Sequence, residues 1–282
     1  MANNPLVSVV LGSHNRRAFL EAALESVRAN GMDFPYEIIV VDGGSTDGSL
    51  HYLASQKDVI TIIQHNRGEW RGKKIERRSW GYFMNLGFRA AQGKYLCMIS
   101  DDCLLVPGAI PNGVTLFENL LAEGQRVGAM AFYWRNWPEQ QDYWVGLTLG
   151  NKMFVNHGLY LRQALEEIGW IDEDYYQFYH ADGDLCLKLW QAGYKVVDCR
   201  TAFVEHCDHI KKSRISNVRD WNSYLQKWDG IYYDAAQNQI GGWLALSYTD
   251  PLKTYTHFPL EEHIKHKFRK IFSSWRLMLS RK

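Results

Sequence analysis

Along the first hundred residues, apolar runs alternate with stretches in which apolar positions recur every three or four residues. "LVSVVLGS" is apolar nearly throughout, the pattern of a strand buried on both faces. "RAFLEAALESVRANG" follows, with Phe19, Ala23 and Val27 at helical spacing and Gly31 where a helix would stop. "YEIIVVDGGSTDGS" predicts a second strand breaking into a turn, "SLHYLASQ" a second helix and "VITIIQ" a third strand. "SWGYFMNLGFRAAQG" predicts a helix closed by glycine, and "KYLCMISDD" a fourth strand. Strands and helices in this alternation predict an α/β fold, with a mostly parallel sheet flanked by helices.

Sheets of this kind bind ligands at the carboxyl ends of their strands. Three polar clusters fall at such ends: "SHNRR" with Ser13, Asn15 and Arg16, "VDGGSTDGS" with Asp42 and Asp47, and "SDD" with Asp101 and Asp102. A carboxylate placed like Asp42 can accept a hydrogen bond from a nucleobase N–H, while the small residues after it let backbone approach a ligand. Turn shaping and helix capping are the other use of such acids. Capping is preferred for Asp47 and ligand binding for Asp42. Two adjacent acids after six largely apolar residues fit a solvated turn poorly.

Composition changes this picture little. At 282 residues and 46% hydrophobic, the chain can bury a full core. Its five cysteines lack a CxxC pair, which argues against a disulfide framework and against structural zinc. Cys186, Cys199, Cys207 and His209 match no common zinc spacing either. The start has no signal-peptide pattern and no apolar run is long enough to span a membrane, so the cytoplasm is the expected location. Charge is uneven: His263–Lys282 carry seven bases and no acid, so against an overall +1 the remainder is −6. In that tail Ile264, Phe268, Ile271, Phe272, Trp275, Met278 and Leu279 recur at three- and four-residue steps, which predicts a basic amphipathic helix. Such a helix can lie on an anionic membrane surface, peripheral to its inner face, or pack on protein; both readings stay open. The one other stretch rich in Arg and Lys, residues 67–78, is read as solvated or as meeting a diphosphate, so nucleic acid is not an expected partner.

Four segments in order, "VSVVLGSHNRRAFLEAALESV", "EIIVVDGGSTDGS", "NLGFRAAQGKYLCMISDD" and "GLYLRQALEEIGWIDEDYYQFYHADGDLCLKLWQAGYKVV", resemble a family 2 glycosyltransferase of the GT-A (Rossmann-like) fold. The likeness runs from Val7 to about Ser213. It implies transfer of a sugar from a nucleoside-diphosphate sugar, UDP-sugar favoured, to a saccharide or lipid-linked acceptor, as in cell-surface polysaccharide synthesis. The family's Asp-x-Asp metal motif aligns with Ser100, Asp101 and Asp102, so serine replaces the first acid. The resemblance then gives Asp102 to the metal and Asp101 to the donor ribose or a metal-bound water. "TAFVEHCDHIKKS" supplies His206, similar to the family's second metal ligand; His209 has no counterpart. One imidazole with one carboxylate and phosphate oxygens suits Mn²⁺ and tolerates Mg²⁺.

Asp182 aligns with the family's catalytic base, which takes the acceptor proton as the sugar inverts. Ala181 stands where the family often has glutamate. Asp182 and Asp184 precede Leu185, Leu189 and Ala192 at helical spacing, and for Asp184 substrate binding and helix capping both stay open. Arg71 or Lys73 is expected to meet the diphosphate, and Asn85 matches a family asparagine beside the donor. Tyr133, Trp134, Trp137, Tyr143 and Trp144 include candidate sugar platforms, Trp134 foremost, although several must be core. The expected organisation is a catalytic domain over 1–215, an extension of unclear role over 216–262 and the tail helix over 263–282. A sugar-1-phosphate nucleotidyltransferase would show a glycine-rich basic loop after its first strand, which "LGSHNRR" lacks. A non-catalytic nucleotide-sugar-binding or membrane scaffold would have no need of Asp182.

Overall fold

The computed structural model describes residues 4–66, 68–137, 140–207, 216–237 and 240–248. His209 and the tail over 263–282 lie outside the described residues. The chain begins with β1 (Val7–Ser13), α1 (Arg17–Arg28), β2 (Tyr36–Asp42), α2 (Ser49–Ser55) and β3 (Val59–Ile63). A small hairpin, β4 (Glu69–Trp70) and β5 (Lys73–Lys74), precedes α3 (Trp80–Ala90), β6 (Tyr95–Ser100), β7 (Cys103–Leu105) and α4 (Ala109–Ala122). The second half holds β8 (Val127–Trp137), β9 (Asp142–Thr148), β10 (Lys152–Met153), β11 (Gly158–Leu161), α5 (Arg162–Glu167), α6 (Ala181–Gln191), β12 (Lys195–Cys207), α7 (Val218–Trp228) and β13 (Trp243–Ser247).

All of these strands except the β4–β5 hairpin form one mixed sheet, whose main order is β10-β9-β8-β11-β6-β1-β2-β3. β6, β1, β2 and β3 are parallel, as their apolar runs and intervening helices predict. From β11 outward the pairing turns antiparallel, apart from β12 beside β8. The expected mostly parallel sheet therefore describes the first half. Short loops join β8, β9 and β10 directly, and short loops can only reverse a chain, whereas parallel neighbours need a crossover. α1 buries Leu20, Ala23, Leu24 and Val27 against the sheet, one residue stripe of an amphipathic helix.

Register decides what meets at the carboxyl end. Ser13 stands beside Asp42, and Gly12 beside Ser100, so the turns after β1, β2 and β6 leave the sheet at one level. β7 runs antiparallel to β12 with Cys103 opposite His206. That pairing carries a histidine a hundred residues downstream to the side of the acid pair.

The described residues beyond 215 are built into the same body. β13 pairs with β9, and Tyr224 and Trp228 of α7 belong to the common core. No helix among the described residues is long and apolar enough to cross a membrane.

Gly158 is where β11 enters between β8 and β6. Its φ of +152° is one that side chains rarely adopt, and a Cβ there would lie 2.1 Å from the Met130 carbonyl oxygen, itself backbone of the central sheet. Gly158→Ala is expected to cost about 3 kcal/mol or more, through strain plus overpacking. The check is the denaturant midpoint, which should fall while the slope of the transition stays constant.

Candidate active site

β6 delivers its last buried residues straight into Asp101 and Asp102, which are only 3% and 6% exposed. Two carboxylates sealed this far need a counter-charge. Arg16, just ahead of α1, provides one: its Nη1 donates to Asp101 Oδ1 at 2.9 Å and to Asp102 Oδ2 at 2.8 Å. Burial still lifts the Asp101 pKa to about 6 against the pull of Arg16, and the Asp102 charge adds to the rise. Ser13 is near enough to damp that rise, yet neither its Oγ nor Asp101 Oδ2 has a hydrogen bond of good geometry.

On the other side of Asp102, Oδ1 faces His206 Nε2 at 3.8 Å and Cys103 Sγ at 3.7 Å. His206 Nδ1 lies 2.8 Å from Asn136 Oδ1. With the Nδ1 proton given to that oxygen, Nε2 is the ring atom that faces Asp102. His157 stacks on His206 at 6.1 Å and lies 3.5 Å from Cys103 Sγ through Nε2. Burial, with His206 adding, drops the His157 pKa to about 3, so this ring is neutral.

The donor set fits a divalent cation. Ligand atoms of Asp102, Cys103 and His206 all lie within 4.8 Å of one another. Burial raises the pKa of the Cys103 thiol, and a carboxylate with an imidazole is a set suited to Mn²⁺ or Mg²⁺. The unpartnered Asp101 Oδ2 and Ser13 Oγ face the same need for a polar partner.

Asp182, the second residue of α6, accepts from Gly183 N at 2.8 Å and from Asn156 Nδ2 at 3.1 Å. Burial raises its pKa above the ordinary carboxylate value. Asn156 Oδ1 in turn accepts from Trp134 Nε1 at 3.2 Å. The Trp134 ring meets His206 edge-on at 5.6 Å and Trp243 at 5.8 Å. One unbroken series of contacts therefore links Arg16, Asp101, Asp102, His206, Trp134, Asn156 and Asp182.

Other expected residues go elsewhere. Asp42 is buried and spends its carboxylate on its own turn, accepting from Gly44 N, Ser45 N and Ser45 Oγ at 2.6–2.8 Å. The turn-shaping reading thus describes this side chain, because three donors lie within three residues of it. Asp47 accepts from Ser49 and from the Arg17 amide, as the capping preference has it. Asn15, at a φ of 54°, joins two turns: its N donates to Ser45 Oγ and its Oδ1 accepts from Thr46 N. Asn85 faces inward, braced on Ile171 backbone and Glu173 rather than toward the acids. Asp184 serves neither as a cap nor at the surface; it is buried and accepts from Tyr176, Lys227 and Trp228. Lys73 is exposed on β5, outside the series. Of the five clustered aromatics, Tyr133, Trp137 and Tyr143 are buried, and Trp134 is the one that meets His206. Asn136, Asn156 and His157 were not singled out by sequence; the only signal was a polar "NH" pair inside "FVNHGLYL".

Comparison with known proteins bears on the family and the fold. Residues 8–168, more than half of the chain, match the profile described as Glycosyl transferase family 2. The uncharacterized protein y4gI of Sinorhizobium fredii is 23% identical over 76% of this chain and 25% of its own length. The uncharacterized glycosyltransferase alr2836 of Nostoc sp. is 31% identical over 40% of this chain and 33% of its own. The chain thus spans a quarter to a third of the length of these curated relatives. Among solved structures, the mannosyltransferase PcManGT from Pyrobaculum calidifontis, in complex with GDP-Man and Mn²⁺, superposes with a TM-score of 0.56 at 19% identity, over 81% of this chain and 66% of that one. TarS of S. aureus gives 0.53 at 13% identity, over 78% and 38%. These likenesses show a shared GT-A fold, and with the profile match the chain belongs to glycosyl transferase family 2.

Proposed function

We propose that this chain is a metal-dependent, inverting glycosyltransferase that moves a sugar from a nucleoside-diphosphate sugar to a hydroxyl of a saccharide or lipid-linked saccharide. The observation that carries this reading is the contact series from the sealed acid pair to the half-buried Asp182. It supports a reading with a cation-binding end and a proton-accepting end in one site, which is what glycosyl transfer to a hydroxyl requires.

Asp102 and His206 are the residues that would hold Mn²⁺ or Mg²⁺. A bound cation offsets the charge that the diphosphate gains as it leaves. Arg16, half-exposed and already resting on both acids, is long enough to share its guanidinium with a phosphate. Trp134 and Trp243, edge to face, offer apolar walls for a sugar ring. Asp182 takes the acceptor proton, and Asn156 holds its carboxylate in place while that happens. A base acting on the face opposite the leaving group gives inversion at the anomeric carbon.

Isothermal titration with UDP, GDP and dTDP, each with and without Mn²⁺, tests the donor half. Binding of one nucleotide, strengthened at least tenfold by Mn²⁺, is the expected result. UDP is the favoured base, and GDP is included because the PcManGT complex contains GDP-Man. Equal, metal-independent binding of all three, or none, would remove the donor assignment.

A further inference from the structure

We propose that α7 is part of the catalytic apparatus and that Asp220 is a positioning residue for Asp182. This rests on the reading of Asp182 as the base, and it concerns residues beyond 168, where the family match stops. Asp220 is fully buried, and its carboxylate accepts three consecutive backbone amides: Gln177 N at 3.0 Å, Phe178 N at 2.8 Å and Tyr179 N at 2.9 Å. Three successive N–H groups make a local anion site, here filled by a side chain from about forty residues away. The segment so held runs directly into His180, whose φ of 65° is costly for a non-glycine residue, and then into the first turn of α6 with Asp182.

α7 grips the flanks of the base as well. Asn217 Oδ1 lies 2.8 Å from His180 Nε2, and the His180 ring stacks on Tyr224 at 5.2 Å and 13°. Tyr224 is fixed by a 2.5 Å hydrogen bond to Thr148, and a Cβ on Gly183 would lie 2.8 Å from its hydroxyl. Lys227 and Trp228 both donate to Asp184 at 2.8 Å. Residues 177–180 and 184 are thus each held by α7, and Gly183 packs against its Tyr224, while Asp182 turns to Asn156 and the rest of the site. A helix that fixes the chain on both sides of a base sets the base's aim. Misplacing a reacting group by about 1 Å can cost about 10²-fold in rate.

Asp220→Asn, Asp220→Ala and the exposed Asn217→Ala are compared with wild type. Turnover is read as nucleotide released from UDP-glucose, UDP-N-acetylglucosamine or GDP-mannose, and donor affinity as titration of the nucleotide with Mn²⁺. The expected result is a fall in kcat of about 10- to 100-fold for the Asp220 variants and a few-fold for Asn217→Ala, with nucleotide affinity unchanged, because the metal and donor residues sit on other elements. Combined with Asp182→Asn, the same substitutions should cause no further loss, since the group they aim is gone. Amide hydrogen exchange should quicken across residues 177–184 in Asp220→Ala and stay constant across residues 101–103. Unchanged kcat in folded Asp220→Asn and Asn217→Ala, an equal loss in the Asp182→Asn background, or unaltered exchange at residues 177–184 would each overturn the proposal. If Asp182→Asn itself keeps full turnover, it is the base assignment that fails instead.

Discussion

Asp182→Asn should lower turnover by about 10²–10⁴-fold, the contribution usual for a positioned general base, while leaving nucleotide and Mn²⁺ binding intact. Asparagine has the same shape, but its single carbonyl oxygen can accept from only one of the Gly183 amide and Asn156 Nδ2, and its NH₂ group meets the other donor. It also lacks the basic oxygen. The lost hydrogen bond costs about 1 kcal/mol, offset at neutral pH by removal of a buried charge. Burial raises the Asp182 pKa in the folded chain, so its ionisation opposes folding as pH climbs from the unfolded value through the folded one, and a neutral amide removes that penalty. The same shift sets the pH dependence. In wild type, kcat/KM should fall on the acid side through a pKa above the ordinary carboxylate value, and that limb should vanish in the variant. Nucleotide release measured across pH checks both; a variant keeping more than about a third of wild-type turnover, against the range expected of a base, would sink the assignment.

How far the sequence carried this reading differs from residue to residue. β1, α1, β2 and β6 were legible because burial on both faces, or along one helical stripe, prints a period that survives any tertiary arrangement. The acid pair was legible for a related reason: polar residues right after a buried strand stand out. Side-chain direction was not. Asp42 and Asp102 both end buried strands, yet Asp42 closes on three donors of its own turn, while Asp102 meets Arg16 from 86 residues away. Asp184 and Asp182 are two residues apart on one helix and face opposite partners, Lys227 and Trp228 against Asn156. Helical spacing separates their directions but does not say which direction is the interior. Only the β7–β12 register brings His206 to Asp102, and only the packing of α7 brings Asp220 to residues 177–179. Such long-range pairings leave no periodic trace. For His206 a family resemblance supplied the link; for Asp220 and Asn156 nothing in the sequence did.

Asp102→Asn is the second change expected to be severe, and it acts at the other end of the site. Transfer should fall by about 10³-fold or more, the several kcal/mol that a cation contributes to a developing phosphate charge. The gain in nucleotide affinity on adding Mn²⁺ should disappear with it. The fold should survive, for two reasons visible in the contacts. Arg16 keeps its bond to Asp101, so its guanidinium is not stranded. The link from this turn to β12 is the Asp102 backbone carbonyl, which accepts from Cys207 N at 2.8 Å and is untouched by the substitution. His206 therefore stays opposite Cys103, and the loss can be assigned to the ligand rather than to a shifted strand. Chelation supplies the matching control: stripping divalent ions should bring wild type down to the level of Asp102→Asn and leave the variant where it was. A variant that still loses activity on chelation would place the cation on other residues, with Asp101 the first to test because its Oδ2 is buried and unpartnered.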